Sequence, residues 1–206
     1  MDRAELKAKA KEQIRGNIGI LFLVSFLIAV ISGVASGLLR LIPFVGSELA
    51  VVIITPAFLL SMTRIYLALA KGVKPEVGDI FSGFDDFWAA FKVTFLMSLY
   101  TYLWSLLFVI PGIVKGLSYS MSVFVLAENK GMSARECIRA SKEMTDGYKM
   151  ELFVLGLSFF GWALLGAITL GIAYIWIMPY MQATYVNAYN KLKPNVVAAQ
   201  RPEVEF

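Results

Sequence analysis

Residues 18–39 read IGILFLVSFLIAVISGVASGLL, a run without a single charge. In hydrocarbon every backbone N–H and C=O must be paired within the segment itself, so such a run is a helix. At 1.5 Å per residue it extends roughly 33 Å, enough to cross a hydrocarbon core of about 30 Å. Similar runs recur at 49–70, 93–110, 113–127, 150–168 and 173–189, separated by short charged segments and by turns rich in Gly and Pro. Composition agrees: 58% of the chain is hydrophobic and 17% charged, against about 45–50% and 25% in soluble domains. The expected fold is all-α, a polytopic membrane protein of six transmembrane helices.

The segments between the runs have a pattern of their own. Residues 1–16, MDRAELKAKAKEQIRG, place Leu6, Ala10 and Ile14 on one helical face and Lys7, Lys11 and Arg15 on another. Asp2 with Glu5 has capping-box spacing, as has Ser133 with Glu136. In 128–149, Cys137, Ile138, Ser141, Met144 and Tyr148 share a face opposite Arg135, Arg139 and Lys142. Both segments read as amphipathic helices lying on the membrane. In 71–92, Pro75 suits a first helical position, and Phe84, Phe87, Trp88 and Phe91 recur at helical spacing. Aromatic rings at this density suit an anchor at headgroup level.

These segments repeat. A constant offset of 131 pairs Asp2 with Ser133, Glu5 with Glu136, Lys11 with Lys142, Gly16 with Gly147 and Phe22 with Phe153. An offset of 59 pairs Ser61-Met62 with Ser120-Met121 and Lys71-Gly72 with Lys130-Gly131. The chain therefore divides into three tandem units, 1–70, 71–130 and 131–190, each an amphipathic helix followed by a transmembrane hairpin, within one membrane domain (1–190). A short polar tail, 191–206, follows.

Charge sets the expected topology. Arg3, Lys7, Lys9, Lys11 and Arg15, then Lys71, Lys74 and Lys92, then Lys130, Arg135, Arg139, Lys142 and Lys149, and finally Lys191, Lys193 and Arg201 all fall on one side of a six-span layout. The other side has Arg40 and Lys115. By the positive-inside rule both termini and the amphipathic segments are cytoplasmic. The first span reads as an uncleaved anchor, because the run is too long for a signal peptide and a partner span follows at once.

Few residues invite chemistry. The chain has no histidine and one cysteine, Cys137, so it offers neither a zinc-type ligand set nor an internal disulfide. Paired acids for hydrolysis are missing from the spans, and so are the mid-membrane carboxylates of coupled carriers. No catalytic residue, metal or cofactor is expected, and no nucleic acid. Asp79, Asp85 and Asp86 form either a cation site or a solvated face. Arg64 stands inside the second span, where a charge costs about 2.5–3.5 kcal/mol at the centre. It either binds an anionic group such as a lipid phosphate or snorkels to the interface. Tyr185, Asn187 and Tyr189 give the last span a polar seam, a second candidate ligand site. Glycines 33 and 37, and 112 and 116, have the spacing that lets helices approach closely.

The stretches RAELKAKAKEQIRGN, LWSLLFVIPGIVKGLSYSMSVFVLAEN and LFVLGLSFFGWALLGAITLGIAYIWIMPYMQATYVNAY resemble the bacterial membrane family known as domain of unknown function 975, over about residues 3–190. They are more distantly similar to the membrane domain of some glycerophosphodiester phosphodiesterases, whose catalytic barrel has no counterpart here. The resemblance implies a bacterial plasma-membrane protein and carries over no catalytic residue. The function expected is therefore a non-enzymatic membrane module that binds lipid, anionic at the cytoplasmic face, or scaffolds a protein partner or a second copy of itself. The alternative is a small transporter or channel with a pore along the repeat axis.

Overall fold

The computed structural model describes residues 2–39 and 46–199. Arg40, the turn at 40–45 and the tail from 200 lie outside the described residues. Every regular element within them is helical: α1 (Arg3–Ile14), α2 (Ile18–Leu39), α3 (Gly46–Ala70), a short 3-10 helix (Val77–Phe81), α4 (Phe87–Leu107), α5 (Val109–Tyr119), α6 (Ser122–Glu128), α7 (Ala134–Thr145), α8 (Lys149–Leu157), α9 (Phe160–Ile168) and α10 (Tyr174–Ala199).

Among the described residues five stretches are long and apolar enough to cross a membrane: Ile18–Leu38, Val52–Ala70, Phe87–Leu107, Val109–Glu128 and Lys149–Ile168. The sixth expected span falls within α10, which is helical but not apolar enough to join them, because Gln182, Asn187, Asn190 and its tyrosines interrupt it. The helix also runs through to Ala199, well into the expected tail. The chain reverses at the extended residue Phe108 rather than at Pro111-Gly112. Pro111 sits instead in the first turn of α5, where its missing N–H leaves no helical bond unmade.

Two of the apolar stretches are broken. Val109–Glu128 divides at Ser120-Met121 and Lys149–Ile168 at Ser158-Phe159. A break frees backbone groups that need partners. At the first, the buried Ser141 of α7 donates from Oγ to the Ser118 carbonyl (2.8 Å) and accepts from the Met121 amide (3.1 Å), and Thr145 Oγ1 also reaches Ser118 O (3.3 Å).

Helices α1 and α7 correspond residue for residue at the offset of 131. Each is capped at its N-terminus by an oxygen side chain, Asp2 or Ser133. Each ends on an extended residue, Arg15 or Asp146, followed by a glycine at positive φ, Gly16 (83°) or Gly147 (76°). Leu6, Ala10 and Ile14 are buried, as are their counterparts Cys137, Ser141 and Thr145. These faces are covered by the protein, which corrects the expectation that they rest on lipid. Helix α1 packs on α10, while α7 packs on α4, α5, α6 and α10.

Between them, 71–86 departs from the expected amphipathic helix. It forms the 3-10 helix and a turn, with the Glu76 amide donating to Asp79 Oδ2 (2.8 Å). The turn presses Gly83 onto α3, where a Cβ would lie 2.0 Å from the Ala57 carbonyl oxygen. Only a bare backbone fits there, so a continuous helix bearing side chains cannot occupy the place. The Gly83 amide donates to Ser61 Oγ (2.8 Å).

The core lies towards one end of the bundle. Leu21 and Val24 of α2, Leu60, Ile65 and Tyr66 of α3, Met121 and Leu126, Cys137 and Met144, Leu152 and Leu155, and Val186, Tyr189 and Leu192 are buried in one cluster. At the other end the hairpin tips are exposed and apolar, Phe108, Ile110, Ile168 and Leu170 among them.

Candidate functional site: a basic cleft where two helices end beside a third

Helices α3 and α6 both stop in a turn closed by a left-handed glycine, Gly72 (φ 82°) and Gly131 (φ 89°). Past α3, the Val73 amide donates to Ala68 O (3.0 Å) and the Gly72 amide to Leu69 O (3.0 Å), so the helix caps its own last carbonyls. Past α6, the Asn129 amide (3.0 Å) and side chain (2.8 Å) both donate to Val125 O.

Between these ends and α10 lies a cleft of about 430 Å³ lined by Arg64, Leu67, Ala68, Lys71, Ala127, Glu128, Asn129 and Lys193. The Glu128 side chain, 9% exposed, accepts from Lys71 Nζ (2.9 Å), Lys193 Nζ (2.6 Å) and the Tyr189 hydroxyl (2.9 Å). The two lysine side chains remain open, 61% and 44% exposed. Arg64, 14% exposed, pairs with Asp86 and donates to the Ser82 carbonyl, which ties α3 to the turn before α4. Its Nε is buried without a partner, as is Ser82 Oγ.

Among the expected ligand residues, Arg64 and Tyr189 thus converge on the cleft, Tyr189 through Glu128. Asn187 and Tyr185 do not. Asn187 is buried and exchanges two amide hydrogen bonds with Gln13 of α1 (2.9 and 3.1 Å) while reaching the Leu6 carbonyl (3.4 Å). Tyr185 stacks on Phe159. Gln13, Lys71, Glu128 and Lys193 were not among the ligand residues expected from the sequence. The repeated Lys-Gly at 71–72 and 130–131 marked the helix ends, but nothing in a linear reading brings Lys193 to them.

The basic residues expected at a membrane surface differ in exposure. Lys11, Arg15, Arg135, Arg139 and Lys142 are exposed. Lys7 is half-buried, with Nζ 4.4 Å from the centre of the Phe159 ring and donating to Ser158 O (3.4 Å) at the break between α8 and α9. Burial, and then the charge of Arg3, lower its pKa. Phe87, Trp88 and Phe91 form a ring cluster extended by Phe95, with Trp88 68% exposed. Phe84 stands apart in the turn, its ring edge-on to Phe58 of α3 at 5.2 Å. Among the described residues no group of three or more acidic, cysteine or histidine side chains could hold a metal ion.

The chain matches the model of the family described as "Protein of unknown function (DUF975)" over residues 1–116 and 106–195. It belongs to the DUF975 family. No curated protein and no solved structure matches it. All the residues of the cleft fall within the matched ranges, Arg64 and Lys71 in the first and Ala127 to Lys193 in the second.

Proposed function

We propose that this DUF975 protein is a non-enzymatic, multi-pass module of a bacterial plasma membrane that engages anionic lipid at its cytoplasmic face. The observation that carries this reading is the orientation of α1 and α7. Their apolar faces are consumed by the protein core, while Lys11, Arg15, Arg135, Arg139 and Lys142 remain outward. Each such residue near an anionic surface contributes about 1 kcal/mol of attraction.

The same reading takes the chain as three tandem units with six spans and both termini in the cytoplasm. The matched caps, glycines and buried positions of α1 and α7 support the repeat. So does a cyclic order of docking: α1 on α10, the 77–86 segment on α3, and α7 on α5 and α6. In this order each unit's polar segment sits on the preceding unit's hairpin, and the first unit on the last. It also accounts for the polarity of α10, whose Asn187 faces α1 rather than lipid. The buried Leu60, Tyr66, Leu126 and Tyr189 fill the interior between α3, α6 and α10 and favour a closed module over a pore.

The test is native mass spectrometry of gently extracted protein with lipid identification. Wild type is expected to retain anionic phospholipid, and a variant carrying Arg135→Glu, Arg139→Glu and Lys142→Glu to lose most of it. Retained lipid of unchanged composition in that variant overturns the reading, and a co-purifying second protein in place of lipid points to a scaffold.

A further inference from the structure

We infer that the cleft between Arg64, Lys71 and Lys193 is a binding site for a phosphate monoester dianion, carried either by a lipid headgroup or by a soluble metabolite. This deepens the lipid-surface reading and rests on it only in placing the cleft on the cytoplasmic side.

The argument is an excess of donors. A lysine ammonium has three N–H groups. Lys71 and Lys193 each spend one on Glu128, and neither makes a further hydrogen bond among the described residues. Arg64 adds a guanidinium to the cleft wall, held there by Asp86 and the Ser82 carbonyl. Among the described residues Glu128 takes three hydrogen bonds, and the Ala68, Leu69 and Val125 carbonyls accept from Val73, Gly72 and Asn129. The two lysines leave more ammonium N–H groups open than Glu128 takes up, and such an excess is complementary to a group with several terminal oxygens and two negative charges. A carboxylate has two oxygens, fewer than the ammonium N–H groups that the two lysines leave open. The cleft is also roomier than one phosphate group needs, and the apolar Leu67, Ala68 and Ala127 give the rest of a monoester something to lie against. Glu128 then serves as the resident counter-ion that holds the lysines in place until the ligand competes for them.

The experiment uses full-length protein in nanodiscs of neutral phosphatidylcholine and titrates inorganic phosphate calorimetrically. Saturable binding is expected in wild type. The double variant Lys71→Gln/Lys193→Gln should weaken it at least about tenfold, the size of one lost charge-assisted hydrogen bond. Lys71→Arg/Lys193→Arg should keep it, which separates charge from folding. Glu128→Gln should tighten it, since the competing charge is removed. Discs doped with phosphatidic acid separate the sources. Loss of phosphate binding in them marks a headgroup site, and undiminished binding marks a soluble ligand. Wild type that neither binds phosphate in neutral discs nor retains phosphatidic acid overturns the inference, as does equal binding by the double Gln variant. If charge reversal on α7 leaves lipid retention unchanged while phosphate still binds, the surface reading fails and the cleft stands.

Discussion

The two ends of this bundle are held together differently. At the basal end, Leu60, Tyr66, Met121 and Tyr189 are at most 2% exposed, and polar hooks join segments far apart in sequence. Ser61 holds Gly83, Ser141 spans the break at Met121, and Asn187 pairs with Gln13. At the other end, Leu106, Ile110 and Ile168 are 65%, 75% and 78% exposed. The close contacts there lie within one hairpin, such as Gly112 against Ser105 or Gly166 against the Tyr174 ring. Lipid tails are as apolar as leucine, so burying leucine against leucine gains little in a membrane. Packing across hairpins must then come from shape and hydrogen bonds, which this chain concentrates at its basal end. The outer end stays apolar and exposed, which is compatible with a covering of lipid.

The same substitution placed in each layer separates them most sharply. Gly83→Ala sets a methyl group 2.0 Å from a backbone oxygen that cannot step aside, and should destabilise by about 3 kcal/mol. Gly33→Ala, in the outer part of α2, meets nothing within 4 Å. It should fall within about 0.5 kcal/mol of wild type. Thermal unfolding of both variants in one detergent reads the difference, and equal melting temperatures would break the two-layer description.

The amide pair comes next. Asn187→Ala leaves Gln13 and the Leu6 carbonyl without their partner, at a cost of about 2 kcal/mol. Replacing both amides by leucine should cost less than the single change, because no polar group is then stranded. If the double variant is the less stable, α1 is not held to α10 through this pair. Ser141→Ala strands the Met121 amide and should cost about 1 kcal/mol. It retains part of the bonding at the break through Thr145, which still reaches Ser118 O.

The features legible from sequence were those fixed locally. Apolar runs marked the spans, capping boxes marked the starts of α1 and α7, and the offset of 131 pointed to their shared build. Both helices have identical lengths and matched buried positions. What stayed hidden depended on neighbours. A periodic row of aromatics in 84–91 reads as one helix, yet Gly83 is needed as bare backbone against Ala57, so the helix starts at Phe87 and Phe84 turns to Phe58. The Gly33 and Gly37 pair has the same spacing as Gly112 and Gly116, but among the described residues only the second meets a facing helix, at Ser105 and Thr101. Arg64 was conspicuous as a charge in an apolar run. That Asp86 would pair with it, and that Lys71 and Lys193 would share Glu128 beside it, is a property of the assembled bundle.

The smallest effect expected in the basal layer concerns Cys137. At the offset of 131 it takes the place of Leu6, and it is fully buried, so it acts as a small apolar residue. Burial first, and then the neighbouring Glu136 charge, push its thiol up to about 11. An exposed thiol on the unfolded chain ionises earlier, near 8.5. The native state therefore holds its proton over an interval in which the unfolded state has lost it, and its stability falls as pH rises through that interval. Cys137→Ala should flatten this alkaline limb of the stability profile while leaving stability near neutral pH little changed. In wild type at pH 8, maleimide should label Cys137 only as fast as the basal layer opens, and Gly83→Ala should speed that labelling. Prompt labelling of folded wild type would place the thiol outside the core and undo its part in the two-layer description.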